Sequence, residues 1–159
     1  MQGQGSRVLP FLHGMAQRLK ALPPFLAPRR VHLHLEKLLP IGNRIVELPE
    51  NEAAAVARDP RSGFVAYAPP GSIAKGQALV TTGGGETTAC VICHGPALKG
   101  VGSTPAIAGR HTGYMVRQLY FFQNGSRSGP AEALMHGVVQ RLTIDDMLAI
   151  AAYVASREP

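Results

Sequence analysis

The chain has 159 residues, the size of one ordinary domain, with 45% apolar and 16% charged side chains, so it can bury a core. No apolar run is long enough to cross a membrane, and two cysteines cannot build a disulfide scaffold. The net charge of +6 sits at one end: residues 1–40 carry Arg7, Arg18, Lys20, Arg29, Arg30 and Lys37 against Glu36, a net +5. A nucleic-acid binder carries its basic face on the folded domain itself, so composition argues against DNA or RNA as partner.

Residues 1–40 read as a basic extension. Its apolar stretches, 8–12 and 21–27, are short and broken by proline, and neither makes a convincing signal-peptide core. Residues 41–71 read as an extended arm: 42–50 alternate briefly and end at Pro49, and Phe64 to Tyr67 forms another short extended piece after the turn cluster Asp59-Pro60-Arg61-Ser62-Gly63. The remainder, 72–159, carries the helical signals. Ser72 is placed to cap a helix over Ile73–Val80, with Gly76 inside it and Thr81–Gly85 stopping it. Thr112 is placed to cap a longer helix to Gln123, with Met115, Val116, Leu119, Tyr120 and Phe122 apolar and Gly125 just past its end. A last helix starts at Thr143, puts Asp145 and Asp146 in its first turn, and aligns Met147, Ile150, Ala151 and Val154 on one stripe. There is no βαβ alternation, so the fold class is all-α: short helices joined by long glycine-rich loops. Such a chain makes a thin core unless something fills its middle.

The segment suited to that is Cys90-Val91-Ile92-Cys93-His94. C-x-x-C-H is the attachment pattern of a c-type haem. The two thiols add to two vinyl groups on one edge of the porphyrin, two intervening residues span their separation, and the next His reaches the iron. A redox dithiol would open a helix within a βαβ unit, and a zinc site would need two further ligands and has no second Cys pair. The expected cofactor is one covalent haem c, with iron held by His94.

An electron-transfer haem takes a second axial ligand, commonly Met or His. Met135 lies 41 residues after His94, far enough for the chain to wrap the ring and return. Met115 and Met147 fall on helical stripes and read as core. His136, adjacent to Met135, is the competitor, and a bis-His site would lower the potential. His111 reads as a surface residue, and His13, His32 and His34 belong to the extension.

Cys90-Val91-Ile92-Cys93-His94-Gly95, then Pro105-Ala106-Ile107-Ala108-Gly109-Arg110, Tyr114, Arg117-Gln118-Leu119, Gly125-Ser126-Arg127, Leu134-Met135 and Ala151-Ala152-Tyr153 resemble a bacterial class I c-type cytochrome. The resemblance covers about 72–159, and 42–71 resemble the segment before the second haem module of tandem di-haem cytochromes. His111 departs from the small hydroxyl residue more usual there. The resemblance implies a class I cytochrome c fold in which Gly76 and Tyr153 mark the crossing of first and last helices. It implies that the Pro105 carbonyl orients His94, and that Arg110, Tyr114, Gln118 and Arg127 contact the haem propionates. It also implies assembly in the bacterial periplasm.

The expected function is electron transfer by a protein with six-coordinate iron and no catalysis of its own. Its partners would be redox proteins such as a dehydrogenase, an oxidase or another cytochrome, met through a small surface that Lys75, Lys99, Arg110 and Arg127 are placed to rim. An open distal site would instead make a haem peroxidase or gas sensor. A third reading is a fixed electron-entry subunit of a dehydrogenase or oxidase complex.

Overall fold

The computed structural model describes residues 7–10, 42–129 and 132–159. The side chains of the basic extension, His13, His32 and His34 among them, lie outside the described residues. In chain order the described elements are β1 (Arg7–Pro10), β2 (Val46–Pro49), α1 (Glu52–Val56), β3 (Phe64–Ala68), α2 (Ser72–Thr82), α3 (Val91–His94), α4 (Thr112–Gln123), α5 (Glu132–Val139) and α6 (Ile144–Ala155).

The two extended pieces of the arm are paired strands. β3 is central, with β2 antiparallel to it, Leu48 opposite Val65, and β1 parallel on its other side. The all-α description therefore holds for 72–159, with a small sheet placed before it. Between the strands, Asn51 caps α1 by accepting from the Ala54 N–H at 3.0 Å.

Two helix starts differ from expectation. Ser72 is the first residue of α2, and the cap position is Gly71, which offers no side-chain bond. Thr112 is likewise inside α4, and His111 occupies the cap position. The free N–H of Thr112 is satisfied from a distance: Glu47 on β2 accepts from Thr112 N at 2.9 Å and from its hydroxyl at 2.7 Å. A carboxylate there also meets the positive end of the helix dipole. His111 is half-buried, its Nδ1 3.8 Å from the same Glu47 oxygen and its ring edge-on to Phe64 at 4.9 Å. At the other end of α2 the helix runs past Val80 because Thr81 and Thr82 hydrogen-bond back to the Gln77 and Ala78 carbonyls.

α6 is the central element. The stripe Met147, Ile150, Ala151 and Val154 is buried as its spacing requires, but Ala149, Ala152, Tyr153 and Ala155 are buried too. A helix apolar almost all round is surrounded, here by α2 and α4. Leu79, Val80, Leu98, Met115, Leu119, Val139 and Leu142 complete the core around it. The start of α6 is a full capping box: the Thr143 hydroxyl accepts from Asp146 N, and the Asp146 carboxylate accepts from Thr143 N at 2.9 Å. Lys75 on α2 reaches the other Asp146 oxygen at 2.7 Å, so this lysine braces α2 against α6 as well as presenting a half-exposed stem.

α2 and α6 cross in near contact at Gly76. A Cβ there would lie 2.8 Å from Tyr153 Cβ and closer still to the Ala149 carbonyl. Neither is the far end of a flexible chain, so the helices would have to separate. Gly76→Ala should cost about 2 kcal/mol of stability, read as a lowered melting temperature. Gly137→Ala, with nothing within 4 Å of the added carbon, should cost nothing.

Burial alone would raise the Asp146 carboxyl, but the bonds from Lys75 and Thr143 and the Lys75 charge outweigh it and hold its pKa below the ordinary value. The sign follows from linkage: the stabilisation is present above the unfolded-state value of about 3.9 and is lost as pH falls through the lower folded-state value. Asp146→Asn should flatten the acid limb of melting temperature against pH in that window. An unchanged acid limb would contradict the assignment.

Candidate functional site

The attachment motif is a single helical turn. Cys90 precedes α3, the His94 N–H bonds its carbonyl at 2.9 Å, and Cys93 and His94 follow on the same turn. Both thiols are free, Cys90 partly buried and Cys93 exposed. Burial, with Cys93 adding to it, pushes the Cys90 thiol up to about 11. A redox dithiol or a zinc ligand works as thiolate, which this setting disfavours. Among the described residues no three His, Cys, Asp or Glu side chains gather as a metal site. Two thiols on one turn, one at each end of a two-residue spacer, suit addition across vinyl groups.

His94 is buried, 8% exposed, and its Nδ1 lies 2.8 Å from the Pro105 carbonyl. A carbonyl only accepts, so Nδ1 carries the proton and Nε2 is the basic nitrogen available to a metal. A compact loop returns Pro105 to this place. Gly100 N donates to the His94 carbonyl at 2.9 Å, Val101 and Thr104 pair across a bridge, and the buried Leu98 carbonyl accepts from both Ile107 and Ala108. The chemistry of this donor set fits a haem c: two thiols for thioethers and one oriented imidazole for iron.

Met135 lies on α5, half-buried and packed against the core cluster, whereas His136 on the same helix is exposed. Met115 and Met147 are core residues, 5% and 0% exposed. Of the four residues assigned to propionates, Gln118 and Arg127 are brought together by a hydrogen bond, and Arg127 lies over the Phe122 ring at 4.5 Å. Arg110 turns to the Ala106 carbonyl at 3.4 Å, and Tyr114 is exposed with Arg117 6.0 Å from its ring centre. Two surface clefts lie under the arm, one between Ile45, Val116 and Tyr120, the other between Asn43, Pro69 and Lys75, and neither includes the motif.

Two residues near α5 carry no motif. Thr87 donates its hydroxyl to the Val138 carbonyl, and Gln123 donates to the carbonyls of Val139 at 2.9 Å and Leu142 at 2.7 Å. Gln123 has one signal in the sequence, as a polar residue four positions after buried Leu119 on an apolar face. Thr87 has none.

The cytochrome c family model matches residues 73–158. The chain belongs to the cytochrome c family. It is 38% identical over 100 residues to the thiosulfate dehydrogenase electron acceptor of Thiomonas intermedia (strain K12), covering 60% of this chain and 46% of that protein. Among solved structures it is similar to reduced cytochrome c4 of Pseudomonas stutzeri (TM-score 0.52, 31% identity, 60% of this chain and 53% of that one). It is also similar to part of the thiosulfate dehydrogenase of Marichromatium purpuratum (TM-score 0.50, 42% identity, 54% of this chain and 19% of that one). The chain thus spans about half the length of the electron acceptor and of cytochrome c4. As a cytochrome c module it carries covalent haem c and its function is electron transfer.

If each thiol supplies one thioether, Cys90→Ala and Cys93→Ala should each leave haem held through one vinyl or lost. The pyridine haemochrome spectrum of protein matured in a haem-competent host distinguishes one thioether from two, and the intact mass reports whether haem remains covalently attached. Two full thioethers in either variant would sink the attachment assignment.

Proposed function

We propose that the chain works as a mono-haem electron carrier whose iron is held between His94 and Met135. Cys90 and Cys93 would hold the haem covalently, the Pro105 carbonyl would orient His94, and Arg110, Tyr114, Gln118 and Arg127 would meet the propionates. The observation that carries this reading is the His94–Pro105 bond, which fixes the imidazole tautomer a metal requires. When bound, the haem supplies a one-electron couple. With His94 and Met135 both holding the iron, no position would remain for substrate, which favours a carrier over a peroxidase or gas sensor.

In domain terms we read 72–159 as the haem module, 41–71 as an arm folded onto it, and 1–40 as a basic extension. Partners would be redox proteins, and the likeness to a thiosulfate dehydrogenase electron acceptor favours a dehydrogenase as electron donor. The likeness to part of a thiosulfate dehydrogenase supports a second reading, a fixed electron-entry subunit of such a complex. Size-exclusion of the chain with and without a dehydrogenase separates the two. No described helix is long and apolar enough to cross a membrane, and we assign the protein to the bacterial periplasm, where c-type haem is attached.

A thioether is a soft donor that favours ferrous iron, so its loss should lower the reduction potential. Met135→Ala should abolish the Met–iron charge-transfer band of the oxidised protein, lower the potential and admit cyanide readily. His136→Ala and Met115→Leu should keep the band. A band lost in His136→Ala but kept in Met135→Ala would overturn His/Met ligation.

A further inference from the structure

The helix that bears Met135 is weakly buried. Of its side chains from Ala133 to Val139, Val139 alone is fully buried, while Ala133, Leu134, His136 and Gly137 are exposed. Apart from what the haem would cover, and beyond Val139 and Met135, apolar packing therefore does little to fix where α5 sits or how it is turned. Its C-terminal end is held another way. The last carbonyls of a helix have no partners within it, and here two of them accept from side chains of other elements: Val138 from the Thr87 hydroxyl, and Val139, which also accepts from the Leu142 N–H at 3.1 Å, from the Gln123 amide, which holds the Leu142 carbonyl just beyond as well.

Both donors are themselves firmly placed. Thr87 stands three residues before Cys90, in a tight turn whose N–H bonds the Gly83 carbonyl at 3.0 Å. Gly83 has φ +80°, and a Cβ on it would run into the Thr87 backbone carbonyl, so the turn has one shape. Gln123 ends α4, four residues after buried Leu119. One tether thus joins the Met135 helix to the haem-attachment loop, and the other joins it to α4.

We infer that Thr87 and Gln123 are positioning residues for the distal ligand: by holding the C-terminal carbonyls of α5 they set how firmly Met135 is presented to the iron. The inference rests on the reading of Met135 as ligand. Loosening either tether favours states in which the sulfur is withdrawn, and an external ligand then competes more easily.

The test uses the full-length holoprotein and free imidazole as the competing ligand. Thr87→Val should raise imidazole affinity of the oxidised protein about tenfold, the size of effect expected for one lost hydrogen bond; Gln123→Leu, which loses two, should raise it at least as much, and both should weaken the Met–iron band. Thr87→Ser, which keeps the hydroxyl, should restore wild-type affinity. Asp146→Asn, which removes the ion pair to Lys75 elsewhere in the fold, should lower the melting temperature without changing imidazole affinity. Should Gln123→Leu fail to fold, the Thr87→Val and Thr87→Ser pair decides. Wild-type affinity and band in Thr87→Val, or an equal rise in Asp146→Asn, would overturn the inference while leaving the ligand assignment intact. A wild-type protein with no Met–iron band, or a band that survives Met135→Ala, would overturn the ligand assignment and the inference with it.

Discussion

The closeness of α2 and α6 at Gly76 governs the rest of the molecule. Because no side chain separates the two backbones there, Tyr153 and Ala149 of α6 lie directly on α2, and the small residues Ala149, Ala151, Ala152 and Ala155 let neighbours approach from the remaining directions. The pair forms a rigid base to which α4 adds Met115 and Leu119. Arg157 closes one end by lying over the Tyr153 ring at 4.6 Å. The attachment turn and its loop are joined to this base by backbone contacts such as Gly109 N to the Val154 carbonyl at 3.0 Å.

The two faces offered to a haem are built by different physics. On the His94 side a dense set of backbone hydrogen bonds, from Gly95 to Ala108, leaves the His94 imidazole one orientation. On the Met135 side a short helix with few buried side chains depends on Thr87 and Gln123 for its place. In the proposed site, stiffness on one side and adjustability on the other would allow the iron's electronic environment to be varied without disturbing attachment.

Much of this was legible in the sequence wherever the cause is local. C-x-x-C-H is a spacing, the start at Thr143 with Asp145 and Asp146 in the first turn is a local pattern, and the α6 stripe is a period; each needs no knowledge of distant chain. Gly76 was legible through the family resemblance, which supplied Tyr153 as its contact. What escaped depends on distant partners. Thr112 looks like a cap by type, but Glu47, 65 residues earlier, supplies the oxygen and leaves Thr112 inside the helix. α5 escaped because His136 and Gly137 interrupt its pattern and its end is secured by side chains from elsewhere. The sheet was visible as two extended pieces; their pairing, and the third strand from the extension, was not.

The Glu47 contact bears on where this protein can be cut. The family match begins at residue 73, yet the oxygen that satisfies the first N–H of α4 belongs to the arm before it. Excised at the family boundary, the module would present a bare helix start beside buried Thr112, 1% exposed in the intact fold, and would uncover the apolar surface the arm now covers. A unit that keeps this helix start satisfied would therefore have to be larger than the family-model match, taking in β2 as well.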